Sequence, residues 1–248
     1  MAEFFEQICS VLAQNGKKYP GQLADCQAVK EFFSAIAPAV VEKPAVKTEQ
    51  AAPAVAVNCN LASSMEEIAA KLHDCRRCPL CAGRTNLVFG KGNVQARLMF
   101  VGEGPGFEED KSGIPFVGKA GQLLDKMIAA MQFSPDEVYI ANVVKCRPPN
   151  NRVPMPEEVD KCLPFLKEQI NVVRPEVIVT LGAVATKALL NTSNGISRLR
   201  GKWCSFENIP LLPTFHPAYL LRQESAKKEA WQDLQLVMAR FGKVYRRK

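Results

Sequence analysis

Residues 97–116 read RLMFVGEGPGFEEDKSGIPF, and their order decides the fold. Leu98, Met99, Phe100 and Val101 form a short unbroken apolar run, the pattern of a strand buried on both faces. Gly102, Gly104 and Gly106 follow at alternate positions, with Pro105 between the last two. Glycines let a backbone turn sharply while its N–H groups stay close to a ligand. Three acids come next, Glu108, Glu109 and Asp110, and then an aromatic, Phe116. A buried strand ending in a tight polar loop is where an open α/β sheet places its active site. Taken alone, the loop fits a plain strand–loop–helix connection equally well, because G-x-G-x-G lacks the rest of a dinucleotide fingerprint.

Outward from this strand, helical and strand patterns alternate. Gly118–Met131 carries Leu123, Leu124, Met127 and Ile128 at helical spacing. Val138–Val144, VYIANVV, reads as a strand. It runs into KCRPPNNRVPMPEE, a proline-rich loop too long for a bare connection and therefore marked for function. A helix is expected over Glu157–Val173, a fully buried strand over Glu176–Leu181, and a helix from Gly182 to about Leu190. Lys202–Phe206 and Pro210–Thr214 read as strands, FHPAYLLR follows, and a helix closes the chain over Ser225–Phe241. Upstream, Ser64 with Glu67 three residues on starts a helix that ends near Leu72. The alternation predicts an α/β fold, a three-layer αβα sandwich around a mainly parallel sheet.

The N-terminal part is different. Apolar residues at helical spacing over 3–14 and 20–37 predict two short amphipathic helices, available to dock a protein partner. Residues 38–57, PAVVEKPAVKTEQAAPAVAV, lack aromatics and any period and read as a linker. The expected organisation is a helical extension over 1–37, an Ala/Pro-rich linker over 38–60 and the main domain over 61–248. No apolar run is long enough to span a membrane, and the N-terminus lacks a basic n-region, so a cytoplasmic protein is expected. The net charge is +7, but residues 1–60 hold five Lys/Arg against six Asp/Glu, which leaves +8 on the remainder. A basic globular domain suits a polyanionic partner, nucleic acid first.

The nine cysteines are odd in number, against a simple disulfide framework in a cytosolic chain. Cys9, Cys26 and Cys59 are scattered, and Cys204 beside Trp203 reads as a small buried residue. Cys75 and Cys78 form a C-x2-C pair after a helix, Cys146 ends a strand and Cys162 lies in the next helix. Four such thiolates can close around a [4Fe–4S] cluster or a tetrahedral zinc. Spacing does not choose between them, and Cys81, in a second C-x2-C with Cys78, rivals Cys75.

Five segments carry a family pattern: GEGPGFEED (Gly102–Asp110), GIPFVGKAGQLL (Gly113–Leu124), YIANVVKCRPPNNR (Tyr139–Arg152), RGKW (Arg200–Trp203) and HPAYLLR (His216–Arg222). In this order and spacing, from about Ser64 to Phe241, the chain resembles family 4 uracil-DNA glycosylases, the iron–sulfur type. The resemblance implies a monofunctional repair enzyme that acts on uracil in single- and double-stranded DNA, leaves an abasic site and uses no catalytic lysine. It also implies a structural [4Fe–4S] cluster on Cys75, Cys78, Cys146 and Cys162, selecting Cys75 over Cys81.

Such an enzyme extrudes the nucleotide before cutting its glycosidic bond. The resemblance then assigns Gly102 and Gly104 to the pocket floor, Phe116 to stacking on the base and Asn142 to its polar edge. An oriented amide separates uracil from cytosine, whose donors and acceptors are exchanged. His216, held extended by Pro217, is expected to donate an N–H to the departing uracil anion. Water must attack C1′, and Glu109 is the expected acid, with Glu103 its rival. Related families carry Asp or Asn at the position of Gly104, which has no side chain to activate water. Leu220 is expected to wedge into the duplex and Arg222, Arg200 and Lys202 to hold phosphates. A helix start with apolar anchors is the competing reading for Leu221, as a core position is for Phe116. A uracil-DNA binder or covalent trap is the alternative function. The subgroup that traps carries a histidine before the His-Pro motif, and here ISRLRGKW (Ile196–Trp203) has none. An iron–sulfur electron carrier would leave Asn142 and His216 idle.

Overall fold

The run LMFVG becomes the second strand of a six-stranded sheet in the computed structural model, which describes residues 64–244. The helices and linker expected over 1–60 lie outside the described residues. In chain order the strands are β1 (Lys91–Gly92), β2 (Leu98–Gly102), β3 (Val138–Asn142), β4 (Val177–Leu181), β5 (Cys204–Phe206) and β6 (Ile209–Thr214). The spatial order is β1-β3-β2-β4-β6-β5. The inner four strands are parallel, and β1 and β5 pair antiparallel at the two edges. The mainly parallel sheet is thus as the alternation implies. Glu207 and Asn208, both at positive φ (48° and 67°), make the turn that a two-residue hairpin from β5 to β6 requires.

The helices are α1 (Met65–Leu72), α2 (Phe107–Ser112), α3 (Lys119–Ala130), α4 (Pro156–Val173), α5 (Ala183–Leu190), α6 (Ile196–Leu199), α7 (Pro217–Arg222) and α8 (Lys227–Arg240). The two-residue period of the strands sorts the core into two layers. Met99, Val101, Tyr139, Ala141 and Ile178 face α1, α4 and α5. Leu98, Phe100, Ile140, Val177 and Val179 face α3 and α8. Both faces are covered, so the inner strands are mainly apolar, with Asn142, Thr180 and Thr214 the buried polar exceptions. Ser64 caps α1 as expected, its hydroxyl accepting from the Glu67 N–H at 3.3 Å. Two elements go beyond the sequence reading: the edge strand β1, and PAYLLR, which is wholly helical as α7.

All four parallel strands end at one edge of the sheet. Gly102 pairs in register with Asn142, and Leu181 with Thr214. The loops after β2, β3 and β6 meet there, around the strand from which the chain first goes to one side and then to the other.

Candidate active site

A cleft of about 460 Å³ opens at this edge, and Glu103, Glu109, Phe116, Asn142, His216 and Arg222 line it. Its floor is set by two register partners. Asn142 is buried at the end of β3, and its Oδ1 has no hydrogen-bond partner among the described residues. Buried acceptors are nearly always satisfied, which marks this oxygen as one able to accept from a molecule in the cleft. A Cβ on Gly102 would collide with that same Oδ1 and come within 2.5 Å of the Phe116 ring. Glycine is what lets the amide and the ring close on the same space.

Phe116 is buried, sits at φ 54° and stacks against His216, with ring centroids 5.8 Å apart and planes at 30°. A left-handed phenylalanine persists only where neighbours hold it. Lys91 Nζ donates to its carbonyl at 3.2 Å. The next two N–H groups, of Val117 and Gly118, both donate to Glu109 Oε1 at 2.9 Å. The Gly106 N–H donates to Glu109 Oε2 at 3.1 Å. Glu109 stands three residues into α2 and ties the glycine loop to the segment bearing Phe116. Both its oxygens are committed to backbone, which takes it away from the water-activating role expected of it. Glu103 differs: its carbonyl fixes the loop by accepting from the Val144 N–H at 3.1 Å, while burial in the cleft pushes its carboxyl group up. At Gly104 a Cβ would stand 2.6 Å from Val144 Cγ2, so the Asp or Asn discussed above for this position would not fit without a shift.

His216 caps α7, and the Ala218 N–H donates to its Nδ1 at 3.1 Å. A nitrogen that accepts carries no proton, so neutral imidazole here bears its hydrogen on Nε2. Burial first, and the Arg222 cation second, hold the imidazole down to about 4 against the pull of Glu109. At neutral pH the cleft therefore contains an uncharged N–H donor.

The expected DNA contacts divide. Leu220 is buried with Phe215, Ala226 and Ala230 and cannot act as a wedge. Leu221, one residue on and 44% exposed, is the leucine that α7 offers outward. Arg200 is not free to hold phosphate: Nε and Nη2 grip Asp233 at 3.1 and 2.6 Å, and the buried Asp233 also accepts from Thr214 Oγ1 at 2.7 Å. The pair anchors the strand end that leads into His216. Lys202 and Arg222 are exposed. Sequence reasoning passed over Asn151, Arg152 and Val153, which also line the cleft. The long proline-rich loop was their signal.

On the helix α1–α4 side, Cys75, Cys78, Cys81, Cys146 and Cys162 surround one small cavity. Cys146 and Cys162 are buried in the core, and Cys75 and Cys78 pack against it. Arg84 donates to Cys146 Sγ at 3.4 Å, and the Lys145 N–H to Cys162 Sγ at 3.3 Å. Burial pushes the Cys78 and Cys146 thiols up, and Cys162 up to about 11. Among the described residues, no three His, Cys, Asp or Glu side chains are drawn together around a single ion. Cys204 is half-buried rather than buried as expected.

An α/β sandwich whose cleft brings together an unsatisfied amide oxygen, an aromatic plate and a neutral imidazole donor has the features of a nucleobase-excising enzyme. The sequence comparisons agree. Residues 89–235 match the model of the uracil DNA glycosylase superfamily. A type-4 uracil-DNA glycosylase of Thermotoga maritima is 48% identical over 165 residues, 65% of this chain and 85% of that protein. Those of Archaeoglobus fulgidus and Sulfurisphaera tokodaii are 41% and 43% identical, covering 73% and 70% of this chain and 94% and 83% of theirs. The chain belongs to the uracil DNA glycosylase superfamily, within its type-4 family.

Proposed function

We propose that this chain binds uracil-containing DNA, turns deoxyuridine into the cleft and hydrolyses its N-glycosidic bond. The observation that carries the reading is the unpartnered Asn142 Oδ1. Uracil N3–H is a donor, and cytosine presents an acceptor there, so the waiting oxygen accepts one base and rejects the other. Phe116 stacks on the base, a contact worth about 1–3 kcal/mol in comparable sites. As the C1′–N1 bond breaks, its electron pair passes to uracil, and charge gathers on O2. The Nε2–H of His216 stabilises that anion without giving up its proton. A water oxygen bonds to C1′ and its proton goes to a carboxylate. Glu103 is our assignment for that group, since Glu109 is bound by three N–H groups.

Cys75, Cys78, Cys146 and Cys162 fit a [4Fe–4S] cluster. All four line one cavity, together with Cys81, and the sulfurs of Cys146 and Cys162 already receive N–H donors, as cluster sulfurs do. When bound, the cluster would crosslink three chain segments. Lys202 and Arg222 would hold phosphates and Leu221 would fill the gap left by the base. We place the reaction in the cytoplasm, where thiols stay reduced; among the described residues no helix is long and apolar enough to cross a membrane.

The test is release of free uracil from a uracil-containing oligonucleotide at many turnovers per enzyme. Stoichiometric retention of the DNA instead would establish the trapping alternative.

A further inference from the structure

One buried cation has no part in the excision chemistry. Lys145 is fully buried between β3 and Cys146. Its Nζ donates to the backbone carbonyl of Asn142 at 2.8 Å and to Gln169 Oε1 at 2.6 Å. Gln169, itself buried on α4, donates onward to the Phe89 carbonyl at 3.1 Å and to the Tyr139 hydroxyl at 3.3 Å. Through its main chain, Lys145 donates to Cys162 Sγ at 3.3 Å and accepts from the Val88 N–H at 2.9 Å. A single residue thus grips the base-reading asparagine with its side chain and a cluster thiol with its backbone.

Packing does not account for this choice. Both acceptors on the ammonium are neutral, and a buried charge is ordinarily matched by an opposite one. Metal-bound thiolates at the neighbouring Cys146 and Cys162 would supply the negative charge that the neutral acceptors lack. We propose that Lys145 is a positioning residue that couples cluster occupancy to uracil recognition. With Cys146 and Cys162 drawn onto the cluster, Lys145 is fixed and holds the end of β3 so that the Asn142 amide faces the base. The inference rests on the uracil-excision reading above.

Coupling of this kind is reciprocal: if the cluster favours uracil binding, uracil must favour retention of the cluster. The experiment follows the loss of visible iron–sulfur absorbance when the holoenzyme meets an iron chelator, with and without saturating free uracil. In the wild type at equilibrium, uracil raises the chelator concentration that bleaches half the protein by about fivefold or more. In Lys145→Met, loaded with normal iron and folded by circular dichroism, that concentration is the same with or without uracil. A wild type that uracil does not protect, or a Lys145→Met variant protected as well as wild type, overturns the proposal. If Lys145→Met does not fold or load, Gln169→Met removes the acceptor that fixes the ammonium. Protection then falls, and undiminished protection overturns the coupling. Protein that releases uracil but contains no iron overturns it together with the cluster assignment. Protection by uracil in a protein that releases none keeps the coupling and removes the excision reading alone.

Discussion

At the scale of single residues, the cleft works by withholding partners. Asn142 Oδ1 is left without one, while both oxygens of Glu109 are fully engaged. The two acids should therefore respond differently to loss of charge. In Glu109→Gln, a single oxygen must replace two, and an amide N–H faces a backbone N–H. An unsatisfied buried group costs about 1–3 kcal/mol, so melting temperature and turnover fall together. In Glu103→Gln, turnover falls with the melting temperature unchanged or raised, since burial already disfavours the charged form there. His216 gives a pH signature. Removing a donor of this type costs about 10²–10³ in kcat, the expected result for His216→Ala. In the wild type the imidazole stays neutral down to about 4, against an ordinary value of 6.5. Between those values the unfolded chain binds a proton that the native chain does not, so this residue's contribution to stability is lost as pH falls through that window. Across this range stability should fall more steeply with falling pH in wild type than in His216→Ala, as thermal melts of the two would show. The capping role of Glu109 was readable in principle, as a glutamate three residues after a turn. A glycine N-cap, which has no side chain to announce itself, concealed it.

At the scale of elements, α7 separates what two adjacent letters could not. Successive residues on a helix point about 100° apart, so of Leu220 and Leu221 only one can face the core. The string PAYLLR does not say which; the packing of Phe215, Ala226 and Ala230 does. Leu220→Ala should cost about 2–5 kcal/mol of stability, like other buried leucines. Leu221→Ala should leave the melting temperature alone and lower activity on duplex more than on single strands. Equal losses on the two substrates would remove Leu221 as the wedge. The arginines divide in the same manner. Arg200→Ala strands a buried Asp233 and should destabilise by about 3–5 kcal/mol, whereas Arg222→Ala should reduce the salt dependence of DNA binding by about one unit of slope. The partner of Arg200 lies 33 residues away, in a helix whose docking no local pattern reveals. The inner strands were legible because burial on both faces leaves a mainly apolar signature, unbroken in β2. The two-residue edge strand β1 has no such signature, and the sheet edge makes it rather than its own residues.

At the scale of the whole molecule, the cleft and the thiol cavity are two ends of one construction. The chain leaves β3 at Asn142, passes through Lys145 and Cys146, and supplies Asn151, Arg152 and Val153 to the cleft before α4 brings Cys162 back. Asn150 and Asn151 both hold positive φ, at 55° and 54°. Such strain, about 1–3 kcal/mol per residue, persists only when the loop is held at both ends. Arg152 holds one end by its bidentate contact to Glu158, at 2.6 and 2.8 Å, and the crosslink between Cys146 and Cys162 would hold the loop as a whole. Stripping iron with a chelator should therefore do more than bleach the protein. Loss of a native crosslink typically costs about 2–5 kcal/mol, and the melting temperature should fall accordingly. Proteolysis should start within residues 147–155 while the sheet stays resistant, because β2, β3, β4 and β6 are also packed on their other face, away from the thiols, against α3 and α8. Uracil release should fall with loop order, and reconstitution with iron and sulfide should restore all three. A stripped protein that keeps its melting temperature and resists protease in that loop would show that the thiols do not hold it. The alanine variant of Cys81 should load iron and melt like wild type, since Cys75 and Cys78, but not Cys81, pack against the core that contains Cys146 and Cys162.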